Sequence, residues 1–556
     1  MPGARPVGPV RRREGRQPRT MPEGTPPTTT HQAVARAAGT TLAAILLSRV
    51  LGLVRDMVIS HMFGQNRQTD IYVAAFKLPD LLFFLIAGGA LSSSFIPVFT
   101  SYLTGGKEKD AWKVYSVVAT IMTVVVGGFV VFGEVFARQI VPVAVAPGFS
   151  PQELDSVAHL TRIILPSQLF FFLGGLMMGT LYARQRFLVP GLSGSLYNLG
   201  IICGGLLLGH ALGIEGLAWG ALTGAFVGNF LMQLLAVRNA GVTFKPSFDH
   251  RHPGVRKVWK LMLPVLFGLS LPQVDVLINA WFASFLFAGA VSALDRANRM
   301  MQIPLGVFAQ SMAIAFFPTL SAQAARGAIA EFRQTVSLGI RSILFLTIPC
   351  SALLMALALP VFQLLLQSGE FTGKNSHEAA GALVYYALGI FAWSGQAIIA
   401  RGFYARHDTL TVVVSGTIMT LLFIPLNYVL MKLMGYRGLA LATTIAAALH
   451  MLVLAALLRK QLGGIHGRLI LSSVTKVVAS SVAMGLFARQ LAAVAGHHLA
   501  LLHLPGRLTA GVVLLVAGGG GVLLYAVLAR LLRIEEAASA WRMVAQRFSR
   551  KRRLAE

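Results

Sequence analysis

The residues of this chain best placed to do chemistry lie between Ser48 and Pro97. They are Ser48, Arg49, Arg55, Asp56, Asp70, Lys77 and Asp80, set in a stretch otherwise apolar enough to cross a bilayer twice. An arginine near mid-bilayer costs roughly 2.5–3.5 kcal/mol on insertion scales, so charges kept inside spanning segments face a water-filled cavity or a partner rather than lipid. Residues seven apart share a helix face, about 10.5 Å apart along the axis. That spacing sets Arg49 with Asp56, Ser48 with Arg55, and Asp70 with Lys77, and gives Arg55 no obvious partner on its own helix. The stretch reads as a cavity wall or, for Arg49/Asp56 and Asp70/Lys77, as charge pairing that locks two helices together or gates them.

An internal repeat supplies a second set of polar residues. Asp56-x-x-Ile-x-x-x-Phe63 recurs at Asp275 to Phe282, Phe95-Ile-Pro97 at Phe316-Phe-Pro318, Tyr182-Ala-Arg184 at Tyr404-Ala-Arg406, and Gly216-Leu-Ala at Gly438-Leu-Ala, with offsets of 219, 221, 222 and 222. At an offset of 222, Lys77 is answered by Arg299. Two such cations on facing helices give a positively lined central cavity. Asn298 and Gln302 lie four apart, with Asp295 and Arg296 a turn earlier. Arginine offers a rigid fork suited to bidentate phosphate contact, whereas amides bond sugar and peptide groups without adding charge. The alternative for Asn298 and Gln302 is glue between helices. Asp275, standing where Asp56 stands in the first half, has the plain alternative of neutralising a neighbouring arginine. Arg184 and Arg406 end their helices in a Tyr-Ala-Arg motif and read as headgroup anchors.

The elements that must hold these residues are spanning helices. With 55% hydrophobic and 12% charged residues over 556 positions and a mean hydropathy of +0.68, the chain reads as an all-α polytopic membrane protein. About fourteen transmembrane helices are expected, as two six-helix pseudo-symmetric halves (32–238 and 258–462) joined by a linker at 239–257. Two extra helices follow within 463–533. Residues 1–31 and 534–556 are expected to be basic cytoplasmic tails, the first of them disordered. A repeat spanning six helices gives both halves the same orientation, as in the parallel repeats of secondary transporters. Pro79, Pro304 and Pro349 are expected to kink their helices. The net charge of +27 sits in alternate short loops and at the ends, where it sets topology with both termini cytoplasmic, and it forms no nucleic-acid face. Cys203 and Cys350 exclude a thiolate metal site, and no metal, cofactor or catalytic triad pattern is present, which argues against a polytopic glycosyltransferase or other enzyme.

The run SRVLGLVRD, then Gly64 to Asp70, AFKLPDLL and GALSSSFIPVF, resembles the MurJ (MviN) family of lipid II flippases in the MOP exporter superfamily. Further similar pieces are Ala146 to Phe149, Ala297 to Phe308 and Gly402 to Thr409, so the likeness covers roughly Ala38 to Arg459. It implies an inner-membrane protein, expected as a monomer, that moves a polyprenyl-diphosphate-linked saccharide, lipid II or a similar glycolipid, to the periplasmic leaflet by alternating access. The expected substrate-binding residues are Arg49, Arg55, Lys77, Arg299, Asn298 and Gln302. The resemblance also allows a monovalent cation site using Asp275 with Asn427, coupling to that cation or to the membrane potential, and a groove beside the last two helices for the lipid tail. The sequence departs from the family at Phe83, Phe84 and Gly88, where two arginines and a glutamate are common, and at Val412 in place of a proline. Another polyprenyl-linked glycan is the neighbouring alternative. A MATE-like drug antiporter would need a more acidic cavity.

Overall fold

The computed structural model describes residues 28–86, 90–501 and 505–538. Gly88, most of the expected N-terminal tail and the tail beyond 538 lie outside the described residues. All regular structure among the described residues is helical, and the first helix, Thr28–Phe63, begins inside the stretch expected to be a tail. Eleven helices are long and apolar enough to cross a bilayer among the described residues, against the fourteen expected. Helices also run over Thr28–Phe63, Arg67–Ala75, Lys77–Ile86, Ala90–Thr104 and Pro253–Ala283, which carry Arg49, Arg55, Asp56, Asp70, Lys77 and Asp275.

Local chemistry sets many of the helix starts. Asn66 with Thr69, Ser150 with Glu153, and Thr372 with Asn375 form reciprocal capping boxes at one end of the molecule. The repeat is written in the backbone as well as in the side chains. Left-handed residues recur at Gly106 and Gly327, Gln185 and His407, Gly213 and Gly435, and Gly241 and Gly463, each pair 221 or 222 apart. The Tyr-Ala-Arg motif therefore precedes a helix stop in both halves, since Gln185 and His407 follow it at φ of 58° and 61°.

The three prolines expected to kink their helices stand in different settings. Pro79 lies in the first turn of Lys77–Ile86, just past a break at Phe76 that separates it from Arg67–Ala75. Lacking an N–H, it leaves the Ala75 carbonyl without its usual donor, and the Thr161 hydroxyl donates to that oxygen at 3.3 Å. Pro349 likewise frees the Phe345 carbonyl, which accepts from the Tyr525 hydroxyl at 2.9 Å. Pro304 instead precedes a π-helical turn over Leu305–Ala309.

Close backbone approach builds the first half. Leu188–Leu212 and Glu215–Arg238 cross through Gly200, Gly204, Gly220 and Gly224, where an added Cβ would stand 2.4–2.8 Å from backbone atoms of the partner. Pro253–Ala283 bridges the halves, packing on Lys77–Ile86 and Ala90–Thr104 of the first and on Thr409–Met434 of the second. Gly467–Leu501 packs on Ile329–Ala356, and Gly506–Leu531 packs on Gly467–Leu501 and Ala358–Leu365. The last two helices thus form a flank of the second half.

A cavity between the halves, closed at one end

The halves are fastened at the end that carries the loops near residues 64–66, 145–150, 284–289 and 366–372. Asp70 is the centre of this latch: its carboxylate accepts from the backbone N–H groups of Gly289 at 2.7 Å and Ser292 at 2.8 Å. Gly289 and Ser292 open the helix Ala290–Pro304, whose own N-cap residue is a glycine with no side chain to cap it. A residue of the first half therefore caps a helix of the second, and its charge also suits that helix N-terminus. Asp70 and Ser292 are 222 apart, so positions equivalent in the repeat touch one another, which places them beside the pseudo-twofold axis. Around them Arg296 donates to the Gly64 carbonyl at 2.6 Å and lies over the Phe371 ring, Gln65 donates to Glu378 at 2.8 Å, and the Glu370 N–H donates to the His61 carbonyl at 3.0 Å. Toward the other end the start of Pro253–Ala283 stays on the first half, with Val255, Val258 and Met262 buried in its core, while the next helix of the second half turns away. Gln310–Ala325 packs on Ile329–Ala356 and Ile390–Ala405 of its own half, and has no comparable contact with the first half among the described residues.

Two adjoining cavities lie behind the latch, with Lys77 and Asp295 in the wall of both. The smaller, about 190 Å³, holds Arg55, Asp56, Asp80, Arg296 and Arg299 together with Tyr72 and Tyr197. The larger, about 740 Å³, is lined by Arg49, Asp275, Asn298 and Gln302 and by second-half residues including Trp393, Tyr404 and His450. Five bases, Arg49, Arg55, Lys77, Arg296 and Arg299, face four acids, Asp56, Asp80, Asp275 and Asp295, so the lining expected to be positive also carries carboxylates.

Within that set the pairings differ from those that helical spacing predicts. Arg55, expected to lack a partner on its own helix, donates from Nε and Nη2 to the adjacent Asp56 at 3.0 and 2.7 Å and from Nη1 to Asn198 at 3.0 Å. The side chain folds back along its helix, a geometry that face arithmetic misses. Asn198 in turn donates to the Ser48 carbonyl, so Ser48 enters through its backbone rather than its hydroxyl. Lys77 pairs not with Asp70 but with Asp295 of the other half at 3.4 Å, and Arg299 reaches the second oxygen of Asp295 at 2.6 Å. One carboxylate is thus shared by two cations. Asp70 and Lys77 diverge because the break at Phe76 removes the continuous helix on which the spacing rested.

With Asp56 taken by Arg55, Arg49 makes no hydrogen bond or ion pair among the described residues, and its guanidinium lies against Gly306. A Cβ at Gly306 would stand 3.1 Å from Nη1 of Arg49. The amides of Asn298 and Gln302 are also without hydrogen-bond partners among the described residues, so neither acts as polar glue between helices there.

In the second half, Asp275 lines the larger cavity and accepts from Thr420 at 2.9 Å. Asn427 is buried outside that lining and donates to the Phe423 carbonyl of its own helix. The Oδ1 atoms of Asn427 and Asn279 are both buried and lack a donor. Sequence reasoning missed Asn279, Asn198 and the role of Asp295 as a hub, since none carries a recognisable spacing on its own. Phe83 and Phe84 line neither cavity: Phe83 packs edge to face on Phe84 and on Phe171, which packs in turn on Tyr197. Arg184 binds Glu108 and the Ala240 carbonyl and lies over Trp112, fastening a loop rather than standing free as a headgroup anchor.

A helical membrane protein in two like-oriented halves, shut at one end around a polar cavity, has the architecture of a MOP-superfamily transporter. The fold agrees with an inward-facing multidrug resistance MATE family transporter of the MOP superfamily, at a TM-score of 0.62 and 14% identity over 77% of this chain and 98% of that one. A solved structure described as lipid II flippase MurJ, inward closed conformation, matches at a TM-score of 0.72 and 24% identity over 88% of this chain and 98% of that one. Residues 59–505 match the family model of the lipid II flippase MurJ, and the chain belongs to that family. The probable lipid II flippase MurJ of Vibrio cholerae is 34% identical over 422 residues, 74% of this chain and 80% of that protein. The lipid II flippase MurJ of Burkholderia cenocepacia is 30% identical over 437 residues, 77% of this chain and 84% of that protein.

Proposed function

We propose that this multi-pass inner-membrane protein is a transporter, not an enzyme, and that it flips lipid II from the cytoplasmic to the periplasmic leaflet by alternating access. The observation that carries the reading is the guanidinium of Arg49, without a partner among the described residues, set with the amides of Asn298 and Gln302 beside the Lys77, Asp295 and Arg299 cluster in a cavity shut at one end. A diphosphate cannot enter hydrocarbon, and a cavity that replaces its hydration lets the headgroup cross while the tail remains in the bilayer. Arg49 supplies the first contact. Asp295 acts as a placeholder, holding Lys77 and Arg299 until the diphosphate takes over one or both, with Arg55 behind them.

The loop charges support placing the latched end at the periplasm, with both termini cytoplasmic and fourteen spans, so that the state described here receives substrate from the cytoplasm. Monomeric action follows from a cavity built within one chain. The oxygens of Asn279 and Asn427, without donors among the described residues, and the Asp275 carboxylate lie on two packed helices and offer oxygen ligands for a monovalent cation that would hold Pro253–Ala283 to Thr409–Met434. Moving a charge through the membrane field is worth about 2.3 kcal/mol per 100 mV, enough for the potential to bias the return step. An apolar groove of about 1830 Å³ between the second half and the last two helices, lined by Val474, Val478 and Val513, suits the polyprenyl tail.

The test is complementation of a strain depleted of its own lipid II flippase, scored by survival and by lipid II exposed at the outer leaflet. Survival with outer-leaflet exposure is expected. Normal accumulation in the membrane without exposure of lipid II would reject the assignment.

A further inference from the structure

We infer that the wall of the larger cavity formed by Ile390–Ala405 is a saccharide subsite, with Trp393 as its stacking platform; the inference rests on the flippase reading and deepens it. Along this helix Trp393, Ala397, Ala400 and Tyr404 face the cavity, while Ala392, Ile398, Ile399 and Phe403 on the other side are buried. The spacing puts two aromatic residues about 16 Å apart along the axis, with Ala397, Ala400 and the edge of Gln396 between them. The result is a shallow trough with an aromatic at each end.

Neutral polar groups stand around the trough. Trp393 leans over Gly389, where a Cβ would stand 2.6 Å from its ring, and its indole N–H has no acceptor among the described residues. Gln396 is fixed through Nε2 to the Ala447 carbonyl at 2.6 Å, leaving its Oε1 without a donor. The other lining of the cavity offers the free amides of Asn298, Gln302 and Gln310, on the same stretch as Gly306 and the Arg49 guanidinium. A pyranose ring presents C–H groups on a face and hydroxyls at its edge. The first suits an aromatic platform and the second suits amides, which both donate and accept. The work is therefore divided between the cations Arg49, Lys77 and Arg299, shared by the two adjoining cavities, for the diphosphate, and the Ile390–Ala405 wall with its neighbouring amides for the glycan joined to it.

Binding is measured by native mass spectrometry on the full chain in nanodiscs, with lipid II and with undecaprenyl diphosphate, which has the same tail and phosphates but no sugar. Trp393→Ala should weaken lipid II about tenfold, the upper range for one aromatic contact, and leave undecaprenyl diphosphate unchanged. Trp393→Phe keeps a ring over Gly389 and should lose no more than about threefold for lipid II. Arg49→Ala should weaken both ligands. Equal weakening of both ligands by Trp393→Ala, or of neither, would overturn the subsite while leaving the diphosphate site standing. Failure of the unmodified protein to bind either lipid would instead remove the flippase reading and the subsite with it.

Discussion

At the scale of single residues, the prediction with the largest effect concerns Arg49. Arg49→Ala should abolish outer-leaflet exposure of lipid II with normal accumulation in the membrane, and Arg49→Lys should restore part of it, because an ammonium lacks the bidentate fork. Undiminished transport by Arg49→Ala would take this residue out of the site. The aromatic departures make a different prediction. Phe83 is committed to packing on Phe84 and Phe171, so Phe83→Arg should cost roughly 1–3 kcal/mol through two lost ring contacts, read as a lower melting temperature in detergent. Unchanged melting would mean that the aromatic ladder is not a structural substitute for the missing arginines. The ionic residues of this site were legible in the sequence because charge inside an apolar run is rare. Their pairing was not: Arg55 chose its neighbour Asp56, Lys77 chose Asp295 across the interface, and only three-dimensional proximity decides such choices. The subsite around Trp393 left no mark, since an aromatic in a spanning helix reads the same facing lipid as facing a cavity.

At the scale of elements, the motif GFYARHDT resolves into a stop and a start. His407 ends one helix in the left-handed region, and Asp408 begins the next by accepting from the Thr411 N–H at 3.1 Å while also accepting from Gln461 at 2.8 Å. Asp408→Ala should cost about 1 kcal/mol, measured as a fall in melting temperature, and Asp408→Asn should cost less. The Gln461 hydrogen bond, with help from Thr411, holds the Asp408 carboxyl below its ordinary value of 3.8. Its folded-state value is depressed, so its stabilisation is present above the unfolded value near pH 4 and fades as the pH falls through the lower folded value. The difference in melting temperature between the parent and Asp408→Ala should therefore shrink below pH 4 and stay constant from pH 6 to 8. Helices and the repeat were readable because hydrophobic runs and turn residues are local signals. The glycine seam between Leu188–Leu212 and Glu215–Arg238 and the π-helical turn after Pro304 were not, because they depend on which helix lies opposite.

At the scale of the whole molecule, the latch sets which way the cavity faces. Asp70→Asn keeps one acceptor oxygen where the carboxylate has two, and loses a charge-assisted bond worth roughly 1.5–3 kcal/mol. That shifts the balance between the two access states by about 10–100-fold. Spin labels placed at residues 68 and 374 should show a longer-distance population in Asp70→Asn, and an unchanged distribution would mean that other contacts hold this end shut. The two carbonyls freed by proline carry a consequence for the motion itself. In hydrocarbon, an oxygen with no donor is costly, so the helix that supplies the donor must travel with the helix that carries the proline. Tyr525 therefore ties Gly506–Leu531 to Ile329–Ala356 at the level of Pro349, and Thr161 ties Pro151–Ala183 to the joint below Pro79. Each pair of helices is pinned together at the level of its proline. The apolar groove beside the last helices should then keep its width throughout the cycle, a rail of fixed gauge for the tail of the proposed substrate.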